Sequence, residues 1–215
     1  MSYSPPTRLV SEVMTAVKRQ FGDESGVQLE DADLIRWVND AQDVIVAKTK
    51  VTKAKSTVAA TANQASYTFP SENIHQIESI HYDSNRIPNM SFPEAEEYIF
   101  SADPEQVAFG NPVLWYEWAG TFTFWPAPDD TKNIDLYYTK RPTRVTTGSD
   151  LLSLPDKYYQ DVVRYVLQQA YEMDEDLGSA QAKGQQFEAS MNEFSEEDRT
   201  AQNMTYNTIT VYEQY

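Results

Sequence analysis

At 215 residues with no cysteine, the chain is long enough for one sizeable core, or a core with an inserted lobe, but holds neither a disulfide framework nor a thiolate metal site. Its formal net charge of −16 disfavours wrapping duplex DNA, which needs clustered Lys and Arg; it suits simple solubility, or a wall past which DNA slides without sticking. No run of about 18 apolar residues could span a membrane, and Met1 to Pro6 lacks the basic and apolar regions of a signal peptide.

A first helix is predicted from about Pro5 to Phe21, with Ser4 as its cap and Leu9, Val10, Val13, Met14, Val17 and Phe21 at helical spacing. Gly22 stops it. A second helix is predicted over 30–48, with Leu34, Trp37, Val38, Ala41, Val44 and Ile45 as its apolar stripe and acids in its first turn.

From Val51 to Thr147 β-branched and aromatic residues dominate, broken by Pro, Asn and Asp. Strands are predicted at 56–61, 65–69, 74–82, 113–117, 121–125 and 134–138, with Ala119-Gly120 as a hairpin turn and a short helix within 91–101. This region, about 51–147, reads as a small antiparallel β lobe inserted into a helical domain made of 1–50 and 151–200.

A third helical stretch is predicted over 155–199. Tyr159, Val162, Val163, Val166, Ala170, Met173 and Leu177 line its first part, and Gly178 and Gly184, each costing roughly 1 kcal/mol against Ala, mark a break or bend. Beyond them only Phe187, Met191 and Phe194 are apolar, too thin a stripe for a monomer core and better suited to packing on a neighbour. Twelve acids oppose four bases between Asp150 and Thr200, which is half of the net charge. The end of the chain, 201–215, is expected to be extended, with Met204, Tyr206, Ile209, Val211 and Tyr212 on a strand-prone segment that docks on another chain. The fold expected is therefore α+β, an antiparallel-style helical bundle carrying a small β lobe and an extended tail.

Signals for chemistry are absent. His75 and His81 lie six apart in one predicted strand, about 20 Å, too far to share a metal ion. Asp174-Glu175-Asp176-Leu177-Gly178 lacks the glycine position and closing Glu of a calcium loop. No glycine-rich phosphate cradle occurs, so neither catalytic residue nor cofactor is expected. Trp115, Tyr116, Trp118, Phe122, Phe124 and Trp125 crowd one hairpin, as a lobe core, as an interface, or as a stacking platform for a carbohydrate in which Trp115, Trp118 and Trp125 would be exposed.

The order of segments is more specific than any one residue. Asp33-Leu34-Ile35-Arg36-Trp37-Val38-Asn39-Asp40-Ala41-Gln42 is followed by Gly110-Asn111-Pro112 and then by Phe122-Thr123-Phe124-Trp125-Pro126-Ala127-Pro128. Ile134-Asp135-Leu136-Tyr137-Tyr138-Thr139-Lys140-Arg141-Pro142 comes next, then Leu154-Pro155-Asp156-Lys157-Tyr158-Tyr159 ahead of a long helix. Over roughly residues 7–180 this resembles the head-to-tail adaptor (connector, head completion) family of tailed bacteriophages. The resemblance implies a non-enzymatic virion protein, assembled in the host cytoplasm as a ring, typically a dodecamer, between the portal protein and a tail or nozzle protein. It also implies a C-terminal extension toward the portal, and genomic DNA that passes without specific binding. In such a ring Asp174, Glu175, Asp176, Glu188 and Glu193 would face the channel or a portal rim. Another tail-tube or gatekeeper ring protein is the second structural reading.

Overall fold

The computed structural model describes residues 5–70, 73–101 and 109–207, with side chains as far as Ser195. In chain order its helices are α1 (Val10–Phe21), α2 (Asp31–Thr49), α3 (Phe92–Ser101), α4 (Tyr159–Met173) and α5 (Leu177–Asn207), with a 3-10 turn at Asp156–Tyr158. Its strands are β1 (Lys53–Ala59), β2 (Ser66–Thr68), β3 (Ile74–Tyr82), β4 (Asn85–Ile87), β5 (Leu114–Trp118), β6 (Thr121–Trp125) and β7 (Asn133–Lys140). The chain divides into two units: Lys53–Lys140, and the residues before and after it.

In the discontinuous helical unit, α1, α2, α4 and α5 enclose one core. Val10, Val13 and Val17 meet Leu34, Val38, Ala41 and Ile45, together with Val162, Val163, Val166 and Leu167, all buried. The returning chain adds Val145, Leu152 and Leu154. Two amides on the buried face of α2 hold that return in place. Asn39 donates from Nδ2 to the Val145 carbonyl and accepts the Val145 N–H on Oδ1, both at 2.9 Å. One turn further on, Gln42 Oε1 accepts the Ser153 N–H at 2.6 Å. A backbone group buried away from water must find a partner, and these side chains supply it where no helix or sheet can.

α1 starts later than the proline pair suggests. Leu9 is extended because Val10 donates to the Asp150 carbonyl and Leu152 to that of Arg8, forming a bridge between Leu9 and Leu151. Tertiary pairing thus outweighs the preference of proline for a first helical turn. Ser4 lies outside the described residues. α1 then ends at Gly22, whose φ of 94° forms a left-handed cap. In the following loop the Asp23 carboxylate accepts the N–H groups of Val27, Gln28 and Leu29 at 2.8–2.9 Å. Those donors hold its carboxyl below the ordinary range.

The β unit corrects the expected architecture. It is not a small lobe on a helical bundle but a sheet-rich unit with its own core. Among the described residues, seven strands form two antiparallel sheets, ordered β1-β7-β3-β4 and β2-β6-β5. Alternation along β7 buries Ile134, Leu136 and Tyr138 and turns Asp135 outward. The buried row, with Ile80 and Tyr82 of β3, shares a core with Tyr67, Phe122, Phe124 and Trp115 of the second sheet. α3 rests on the other side of that second sheet, where the Phe92 ring stacks on Trp118 at 4.3 Å. The fold is α+β, with five α-helices and two sheets among the described residues.

The end of the helical stretch also departs from expectation. The break falls at Asp174–Asp176, where Glu175 takes a φ of 60°, and not at the glycines. Gly178 and Gly184 lie inside α5, and a Cβ at Gly184 would stand 3.0 Å from the terminal amide of the Gln168 side chain of α4. α5 continues through 201–207, where an extended tail was expected; the rest of the tail, 208–215, lies outside the described residues.

Replacing Asn39 by Ala leaves two buried backbone groups of Val145 without their partner. The expected loss is about 1–3 kcal/mol per group in urea unfolding. Asp23→Asn is expected to lower the melting temperature at pH 7. Because the folded carboxyl titrates below its ordinary value near 3.8, the advantage of Asp23 over Asn is complete above that value and is lost as pH falls through the lower, folded one. Melting temperatures of the two proteins should therefore differ at pH 7 and converge as the pH falls below the lowered, folded value.

Candidate interaction surfaces

The thin stripe of α5 does not face a neighbour. Phe187 and Met191 are 2% and 1% exposed and belong to the core of their own helical unit. Phe194 is half-buried against the Tyr158 ring at 4.8 Å. The stripe is enough because Tyr165 of α4 and Tyr158 of the 3-10 turn present large rings to it. The expected subunit or portal contact at Phe187, Met191 and Phe194 is thus replaced by core packing.

The acidic segment separates into structural and exposed carboxylates. Asp161 is buried beside the Arg164 guanidinium at 2.8 Å. Asp156 accepts both the N–H and the hydroxyl of Thr7, and Asp150 accepts the N–H groups of Thr146 and Thr147 at 2.7 and 2.9 Å. These donors hold both carboxyls below the ordinary range. Of the acids expected to face a channel, Asp174, Glu175 and Asp176 form the exposed turn between α4 and α5. Asp176 also caps α5 through the Ser179 N–H at 3.1 Å. Glu188 is paired with Lys48 of α2, whereas Glu193 is exposed on α5. Five positions apart, Glu188 and Glu193 point about 140° from each other around the helix, so these acids do not make one stripe. Of the docking residues, Met204 and Tyr206 lie within α5, whereas Ile209, Val211 and Tyr212 fall outside the described residues.

The aromatic hairpin is divided between two sides of its sheet. Trp115, Phe122 and Phe124 point into the β core, and Trp118 is 58% exposed on the α3 side. With Trp115 buried, the three tryptophans do not make an exposed stacking platform. Tyr98 and Phe100 of α3 add exposed rings to the Trp118 side of the unit.

Sequence reading did not find the polar outer face of the four-stranded sheet. Asp135 sits at its centre, accepting the Thr57 hydroxyl at 2.6 Å and pairing with Lys55 at 3.0 Å. Both contacts hold its carboxyl low. His81 lies on the Tyr137 ring at 4.9 Å, with Ser79 Oγ 3.2 Å from its Nε2. Lys53, Glu78, His81 and Tyr137 line a shallow cavity of 280 Å³ there. Ser79 and His81 are within hydrogen-bond reach, but the carboxylate of Asp135 is committed to Thr57 and Lys55 instead of orienting the ring, so the trio lacks the arrangement of a catalytic triad. Among the described residues no cluster of His, Asp and Glu has the arrangement of a metal site. The signal for this face was the alternation of Lys53, Lys55 and Thr57 in β1.

Residues 8–210 match the family model described as SU10 adaptor protein. No curated protein matches the chain.

Phe187→Ala distinguishes core from contact surface. As a buried residue it should cost about 3–5 kcal/mol in urea unfolding of the isolated chain. A stability change of a few tenths of a kcal/mol would mark an exposed contact instead.

Proposed function

Because the chain belongs to the SU10 adaptor protein family, matched over residues 8–210, we propose that it is a structural head-to-tail adaptor of a tailed bacteriophage. It forms a ring of about twelve copies between the portal and a tail or nozzle protein in the virion, assembled in the host cytoplasm. It helps retain the genome and lets it pass without binding it specifically. The observation that carries this reading is the family match, which spans both units. It agrees with the resemblance seen in the order of sequence segments.

The physical features are consistent with the role. An acidic chain gives passing DNA little to hold. The exposed turn Asp174–Asp176 is the best placed of the acids to face a channel or a basic portal rim, since Glu188 already pairs with Lys48. Exposed rings at Tyr98, Phe100 and Trp118 suit a protein with surfaces to bury against others. The helices supply a rigid frame, and no step of the role requires a nucleophile, a metal or a cofactor.

Light scattering on the full chain, alone and mixed with the portal of the same phage, tests the assignment. The mixture should give a stoichiometric complex containing a ring of the adaptor. A chain whose mass does not change with portal at any ratio overturns the reading. Reversing Asp174, Glu175 and Asp176 to Lys should leave the fold intact, as judged by circular dichroism, and impair genome passage in assembled particles; unchanged passage would remove these acids from the channel.

A further inference from the structure

The four-stranded sheet has one long open edge. β1 runs antiparallel to β7 along its whole length, from Lys53 opposite Thr139 to Ala59 opposite Asn133. The Ala60 N–H donates to the Lys132 carbonyl at 2.8 Å, so even-numbered residues turn their backbone groups toward β7. The backbone groups of Lys53, Lys55, Thr57 and Ala59 therefore face the opposite way, where no strand pairs with them among the described residues. The other edges offer less. β2 and β4 are three residues long, and β5 is partly covered by hydrogen bonds between Trp115 and the backbone at Pro88 and Met90.

The side chains of β1 define what would fit beside it. Lys53, Lys55, Thr57 and Ala59 are exposed on the outer face, whereas Ala54 and Val58 pack against the β core yet stay only half-buried. A strand laid along this edge would continue both rows. Its inner side chains would cover Ala54 and Val58, and its outer ones would stand next to Lys53 and Lys55. Lys53 makes no ion pair among the described residues. Lys55 pairs with Asp135 at 3.0 Å but is partly exposed, and an ammonium has donors left for a second carboxylate. Lysines on an edge strand also guard against unselective pairing. The guard discriminates by charge: a second β1 would add two more lysines to the row, whereas a strand with acids on that side meets them with the opposite sign.

The geometry points to the β1 edge as the acceptor for an extended segment of a partner protein, with apolar residues on one side and carboxylates on the other. Main-chain hydrogen bonds to Lys53, Lys55, Thr57 and Ala59 hold the segment, and its two rows select it. Its register is fixed, because a slip of one residue would turn the carboxylates onto Ala54 and Val58. The contact involves the β unit alone and assumes neither a ring nor a portal, so it stands or falls separately from the adaptor assignment.

Residue-resolved amide hydrogen exchange on the full chain tests it, with the peptide Thr-Val-Glu-Val-Glu-Val-Thr as the probe. Without peptide, the amides of Lys55, Thr57 and Ala59 should exchange freely while those of Ser56 and Val58 are protected by β7. Saturating peptide should slow exchange at Lys55, Thr57 and Ala59 about tenfold, and the same peptide with Lys in place of Glu should not. Thr57→Pro removes an outward N–H and leaves the pairing with β7 intact, so this variant should keep the fold and lose the effect. Lys53→Glu should weaken the acidic peptide and favour the basic one. Unchanged exchange at every peptide concentration overturns the proposal, as does slowing that is equal for both peptides or that persists in Thr57→Pro. Protection of the three amides without peptide also overturns it: if independent of protein concentration, the chain covers its own edge, and if rising with concentration, a second copy does.

Discussion

The helical unit depends on closing a gap in the chain. Its first helices and its last are separated by the whole β unit, and the segment that re-enters at Arg141 has no helix or sheet of its own before the 3-10 turn at Asp156. Asn39 and Gln42 solve this by giving buried backbone groups a side-chain partner at two points one turn apart. The bridge from residues 8–10 to 150–152 fixes the same segment from the other side. With the segment held, Val145, Leu152 and Leu154 become part of the core, and α4 starts from a defined position. Two polar residues on an otherwise apolar helix face thus determine where the second half of the unit begins.

The β unit follows a different logic. Its two sheets share one aromatic core, so neither needs the helices to bury its inner face. The outer faces are used differently. One is covered in part by α3, through Phe92 on Trp118, and the other carries a polar network centred on Asp135. Charge is therefore not a uniform coat on this acidic protein. Several of its carboxylates, including Asp23, Asp150, Asp156 and Asp161, are committed to internal donors, which leaves the turn Asp174–Asp176 as a concentrated exposed group.

Much of the secondary structure was legible because the periodicity is strong. β3 and β6 have the bounds that alternation predicts, and α2 differs by one residue at each end. The turn at Ala119-Gly120 appears with both residues at positive φ. What periodicity does not carry is partnership. The Pro5-Pro6 pair reads as a helix start, but long-range hydrogen bonds from the N–H groups of Val10 and Ser11 to the carbonyls of Asp150 and Gly148 decide otherwise. β4 was missed because its two-residue turn, Asp83-Ser84, takes positive φ without a glycine to announce it. The strands were foreseen as one small lobe because a strand pattern names an inward face without naming the sheet that covers it. The stripe of Phe187 and Met191 looked too thin because its partners, Tyr158 and Tyr165, come from elsewhere in the chain. Asn39 and Gln42 were the available signal for the pinned segment: polar residues at stripe positions of α2.

The pairing of β1 with β7 has one more consequence. Lys53 opens the β unit directly opposite Thr139, one residue from its close. The unit therefore leaves and rejoins the helical chain at neighbouring points, like a loop with its ends tied together. Such an insertion is modular: lengthening, shortening or exchanging it need not re-thread the helices, because the gap they see stays one strand spacing wide. Sequence drift in the β unit can proceed at its own pace while the helical frame is preserved, and the chain could acquire new contact surfaces without redesigning the part that gives it its frame.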